Sequence, residues 1–202
     1  MNKLKFSVLA AFLFLSCQIN AQSKGTVGFS FTTISSNAML RSGSLEHNYE
    51  TIKGKGFMSA GIDYWYPLTD WLKAETGINY SFQNFSRLYY NPNIYTVALT
   101  AVEPVNFDIH QVNIPVGFRA EFLKYGFINS GLLLDLTHEP GIGSYFGIGA
   151  KIESEIGLGL MINQYVKMHS VLPVSFNKDA DRAMEAGIKF GITYSLDYLL
   201  KK

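Results

Sequence analysis

The chain has 202 residues, with 17 basic and 16 acidic side chains. Only 16% of residues are charged, against about a quarter in ordinary soluble domains, while 14% are aromatic. That balance excludes a basic surface for nucleic acid or anionic lipid. No segment beyond the first twenty residues is apolar for long enough to cross a membrane as a helix.

Residues 1–21 read as a secretory signal. Lys3 and Lys5 give a basic start, Phe6 to Leu15 is apolar apart from Ser7, and the small Ala21 precedes Gln22. The apolar run falls short of the roughly 20 residues a spanning helix needs. Cleavage after Ala21 leaves residues 22–202 as one domain with 15 basic and 16 acidic side chains. It also removes Cys17, the only cysteine, and with it disulfide and thiol chemistry. In a rival reading, Leu15-Ser16-Cys17 is a lipoprotein cleavage box and Cys17 carries lipid.

Eight segments then alternate apolar with polar or glycine residues, the pattern of strands with one greasy and one wet face. The first runs from Thr26 to Thr33, with Val27, Phe29 and Phe31 on the apolar face. The second, Phe57 to Tyr66, places Met58, Ala60, Ile62, Tyr64 and Tyr66 there. The third spans Leu72 to Phe85, the fourth Ile109 to Phe122, the fifth Gly126 to Leu136 and the sixth Tyr145 to Glu153. The seventh spans Ile156 to Met168, where Gln164 breaks the pattern before Val166. The eighth, Met184 to Tyr198, is the clearest: Ile188, Phe190 and Ile192 alternate with Lys189, Gly191 and Thr193. Glycines share the polar face with charges, as a crowded lumen requires, so the bulky apolar face points to lipid.

The connections alternate as well. Those after the second, fourth and sixth segments are short, and the others are long or polar. Outer-membrane barrels have short periplasmic turns and long outside loops, so both termini are expected to be periplasmic. Tyr64, Trp65, Tyr66, Trp71, Tyr125 and Tyr198 gather at that end and read as an aromatic girdle. The second long connection, Leu88 to Leu99, is too apolar for a solvated loop. It extends the hairpin, packs over the barrel mouth, or meets a partner.

Within the fourth segment, His110-Gln111-Val112-Asn113-Ile114-Pro115-Val116-Gly117-Phe118-Arg119 resembles a segment of PorT-like outer-membrane β-barrel proteins. That segment reads aromatic/polar–hydrophobic–Ile-Pro–hydrophobic. Tyr125-Gly126-Phe127-Ile128-Asn129-Ser130-Gly131 resembles the family's next strand, and the signal ending Ala21-Gln22 fits as well. The resemblance implies an all-β, eight-stranded antiparallel up-and-down transmembrane barrel of the OmpX/PorT type. Some members serve a protein secretion machine. The motif is structural and transfers no catalytic residue. Leu199-Leu200-Lys201-Lys202 departs from the terminal aromatic of many outer-membrane proteins.

The inward face is expected to carry Asp63, Lys73, Glu75, Arg119, Glu121, Lys151, Glu153, Glu185 and Lys189, with Asp197 near the end. An eight-stranded barrel holds its own side chains or one small ligand. Charges taken from water must pair, so one connected ion-pair network is expected to fill the lumen. A binding site or an ion path is the functional alternative. Pro115, lacking an amide donor, suggests a bulge. His47, His138 and His169 fall in or beside outside loops, and their spacing does not form a metal site. Gly141-Ile142-Gly143 and Gly147-Ile148-Gly149 precede no helix and read as strand, not as nucleotide loops. No catalytic, cofactor or metal residue is assigned.

The expected function is therefore structural or interactive, in the outer membrane of a bacterial cell envelope. The chain would act through its outside loops or a periplasmic envelope-protein partner, with a link to secretion implied by the resemblance. A narrow pore or small-ligand carrier is the alternative, and a loop-borne enzyme the third.

Overall fold

The structure is a computed structural model that describes residues 25–41, 50–89, 104–137, 140–173 and 181–200. The expected signal, most of the expected apolar loop, His47 and His138 lie outside the described residues.

The eight alternating segments form eight strands: β1 (Thr26–Arg41), β2 (Glu50–Pro67), β3 (Leu72–Tyr89), β4 (Val105–Phe122), β5 (Gly126–Asp135), β6 (Gly141–Glu153), β7 (Leu158–Pro173) and β8 (Asp181–Ser195). A short 3-10 helix, Leu196–Leu200, follows. Each strand pairs antiparallel with its sequence neighbours, and β8 pairs with β1 to close the barrel in the order β1 to β8. Closure leaves no sheet edge along the common height of the wall. One end of the barrel, the turn end, carries the short connections and the first and last described residues. The other is the loop end.

Most strands run further toward the loop end than their alternation indicates. In β1, β2 and β7 the pattern hides this because bulges reverse it. Register shifts lie between Thr32 and Ile34, between Gly54 and Phe57, and between Ile142 and Ser144. In the second of these Gly56 has φ +99°, a conformation glycine takes without strain. Its amide donates to Asn37 Oδ1 at 2.7 Å. Isoleucine 156 falls in the β6–β7 turn rather than in a strand. The bulge expected at Pro115 does not occur. The β4–β5 ladder runs unbroken through Pro115↔Leu133, and β3–β4 keeps one register on either side of it.

Polarity is reversed relative to a soluble barrel. Each strand presents a large apolar side chain outward and more than half exposed: Phe29, Ile62, Ile78, Phe118, Leu132, Phe146, Leu160 and Ile192. The buried set is largely polar and includes Asp63, Asn79, Gln83, Gln111, Asn113, Asn163 and Glu185. Two apolar clusters share the interior with them. Trp65, Phe127 and Met161 lie toward the turn end. Phe85, Ile109 and Ala183, with Met39, Ile52 and Phe107 against them, lie toward the loop end. Glycines make the crowding feasible: a Cβ on Gly131 would meet the Tyr145 ring at 2.9 Å and Gly117 Cα at 2.5 Å.

Candidate functional site: the packed lumen

Of the expected inward residues, Asp63, Glu75, Arg119, Glu185 and Lys189 are buried in the interior, Lys73, Glu121, Lys151 and Glu153 line its turn-end mouth, and Asp197 lies in the short terminal helix. Their hydrogen bonds and ion pairs fall into groups, and the Tyr165 ring joins two of them, with Lys167 and Lys189 at 5.3 and 5.8 Å from its centroid. At the turn end, Glu121 accepts Lys73 at 2.9 Å and Lys151 at 2.8 Å, and Lys151 lies 3.9 Å from Glu153. These side chains are partly exposed. They line the mouth, where a cavity of about 330 Å³ is bounded by Gly25, Pro67, Lys73, Glu153 and Asp197.

Deeper in, Arg119 is 3% exposed. Its guanidinium carbon sits 4.0 Å from the Trp65 ring centroid and 4.1 Å from that of Phe127. Both contacts are within the range for a favourable cation–π arrangement. Its Nε is 3.7 Å from Glu75 Oε2, and Nη2 is 3.7 Å from Met161 Sδ. Glu75 accepts from Asn129 Nδ2 at 3.1 and 3.2 Å. Arginine suits this slot because its planar, weakly hydrated cation packs well over aromatic faces.

This arrangement corrects the girdle. Trp65 is fully buried in the lumen and has no place at a membrane interface. Its neighbours Tyr64 and Tyr66 already occupy the outer face, and side chains alternate along a strand. Tyr64 and Tyr66 are half-buried on the outside, and Trp71, Tyr125 and Tyr198 are exposed at the turn end.

Midway, Asp63 is buried beside Lys189 at 3.5 Å and accepts from Ser30 Oγ at 2.7 Å. The Tyr165 hydroxyl bonds Thr32 at 3.0 Å. Toward the loop end, Glu185 lies 3.7 Å from Lys167 Nζ, accepts from Gln83 Nε2 at 2.9 Å and is 3.3 Å from His169 Nε2. The other ring nitrogen of His169 is 2.8 Å from Asp135 Oδ1.

His169 was expected in or beside an outside loop. It points inward instead, because β7 continues past Met168. Met161, Asn163, Tyr165, Lys167 and His169 form one inward series, and the polar outward Gln164 obscures it. The imidazole stands between its two carboxylates, so they do not share a point where an ion could sit. Among the described residues no group of three or more His, Cys, Asp or Glu side chains could hold a metal.

Little space remains between these groups. A void of about 10 Å³ lies among Glu75, Asn79, Asn129, Tyr145, Asn163 and Lys189. That is roughly room for one water molecule. The charged groups are held against each other by wall-to-wall contacts, and the Phe85–Ile109–Ala183 cluster packs in the interior toward the loop end.

No protein-family model and no curated protein matches the chain. Among solved structures it is similar to the translocator domain of autotransporter NalP from Neisseria meningitidis, at 10% identity and a TM-score of 0.29, covering 96% of each chain. The strand count and closure given above are read from this chain's own register.

Proposed function

We propose that the chain is an integral β-barrel of the bacterial outer membrane, with both termini periplasmic. It acts through its outside loops or a periplasmic partner, and its lumen is a structural core. The packing of the described lumen supports this reading: among Glu75, Asn129, Tyr145 and Lys189 the void is about 10 Å³, and an apolar cluster lies toward the loop end. The bilayer placement is supported by large exposed apolar side chains on every strand around a polar interior. The short connections at the turn end fit a periplasmic side. A role beside a secretion machine rests on the PorT-like resemblance alone.

Purified protein in planar bilayers should give no conductance steps. Steady ion flux would favour the narrow-pore alternative. The protein should fractionate with outer membranes and migrate differently on a detergent gel when left unheated. Recovery from the soluble periplasm would overturn the placement. Affinity capture of tagged protein from native membranes would identify the partner, and recovery of secretion components would support the secretion role.

A further inference from the structure

Gln164 faces outward from the middle of β7. Its register partners are Ile148 on β6 and Ile188 on β8, and Ile162 and Val166 flank it along the strand. The side chain is exposed, and among the described residues its amide has no hydrogen-bond partner. Hydrocarbon supplies none either, so an amide at this depth is stabilised only by another protein group.

The diagonal neighbours are Phe146 and Ala150 on β6, and Ala186 and Phe190 on β8. Their arrangement follows from the register. A line drawn square across the strands from Thr26 passes through Trp65, Glu75, Gly117, Gly131, Tyr145, Lys167 and Glu185. It returns to β1 at Asn37, nearer the loop end. Square-across neighbours therefore climb toward the loop end as strand number rises. In a barrel whose strands tilt by about 35–45°, the diagonal Ala186–Gln164–Ala150 then runs along the barrel axis. Phe146 and Phe190 stand on either side, close to the depth of Gln164. Phe190 is braced by Phe31, with ring centroids 5.9 Å apart. The face is a narrow seam of small residues centred on an amide, between two aromatic shoulders.

We infer that this face joins two copies of the chain about a two-fold axis along the membrane normal. The inference rests on the bilayer placement proposed above. Two copies inserted with the same topology can be related only by an axis in that direction, and the interface is then self-complementary. The axis sets Gln164 against its counterpart, where each amide donates to the other's carbonyl. Ala150 and Ala186 lie on the seam and let the two walls approach closely, as small residues do between spanning segments. Phe146 of each copy meets Phe190 of the other.

The test is thiol crosslinking in lipid vesicles, with Cys17 replaced by Ser in every variant. Ala150→Cys lies on the seam, and Ala186→Cys is a second reporter if the first folds poorly. Ile128→Cys, on the outer face of β5, reports random collision. A short bis-maleimide should give a covalent dimer from Ala150→Cys and far less from Ile128→Cys. Adding Gln164→Leu should cut the seam dimer roughly tenfold, the scale of an amide pair in a membrane. Equal yields from the seam and control positions would overturn the inference, as would a dimer unaffected by Gln164→Leu. Heat-dependent gel migration is read on the same samples. Protein that inserts yet stays monomeric refutes the dimer alone, while protein that never inserts refutes the bilayer placement and the dimer together.

Discussion

Arg119 lies over Trp65 inside the barrel, guanidinium carbon 4.0 Å from the ring centroid, and over Phe127 at 4.1 Å. The cation is thus held by two aromatic faces and by a carboxylate, Glu75, that has Asn129 as a further donor. Arg119→Ala would remove the cation and leave Glu75 buried without its counter-charge. Breaking one side of a buried pair costs about 3–5 kcal/mol. Urea titration of refolding into vesicles should show a loss of that size, and Arg119→Lys should recover little of it because an ammonium cannot stack as a plane. A fully stable Arg119→Ala protein would mean that water reaches the site.

The rim pairs should behave differently. Glu121 meets Lys73 and Lys151 in partly exposed positions at the turn end. Exposed pairs contribute about 0–1 kcal/mol and weaken with salt. Glu121→Gln should shift the same urea curve by about that amount, and by less in high salt. A loss as large as that of Arg119→Ala would show that the mouth is closed to solvent.

Adjacent residues on β8 test the facing of the wall. Ile188 points outward and Lys189 lies inside beside Asp63. A basic residue on the lipid face near the midplane costs about 2–4 kcal/mol and an acidic one somewhat less. Ile188→Asp should impair insertion into vesicles, whereas Lys189→Ala should insert and then unfold at lower urea. Harmless Ile188→Asp combined with non-inserting Lys189→Ala would invert the assigned faces.

Gly131 opposes Gly117 beneath the Tyr145 ring. Gly131→Val forces a branched side chain into that contact, and overpacking of this kind costs about 1–3 kcal/mol. The midpoint of urea unfolding should fall accordingly. An unchanged midpoint would show that the lumen near Tyr145 can relax.

Strand number, order and the polar interior were legible because the alternation is clean where the wall is regular. Trp65 was misread at the girdle although Tyr64 and Tyr66 already fixed its face; clustering along the sequence outweighed the strand period. The loop-end portions of β1 and β2 were hidden by bulges, which swap the inward and outward series. In β1 the inward positions pass from Ser30 and Thr32 to Asn37, and a reading with a fixed period loses the strand there. The grouping of charges was not legible, because Gln83 meets Glu185 and Asn129 meets Glu75 only through closure and shear. His169 was not legible as an inward residue because the alternating segment reads only to Met168, while β7 runs on to Pro173.

The β1–β8 seam also bears on how the protein can form. Asp63 has Lys189 as its lysine partner, and Lys167 has Glu185 as its carboxylate, and both partners arrive on the last strand. A chain that has paired only β1 to β7 therefore lacks the ion-pair partners of Asp63 and Lys167, leaving the acid its Ser30 hydrogen bond and its attraction to Arg119 and Lys167, beside two open edges. Burying charges with their ion-pair partners missing is costly, so full burial of this core is expected only once β8 docks. The final strand thus makes assembly cooperative: deleting it would leave an unsealed sheet, not a smaller barrel.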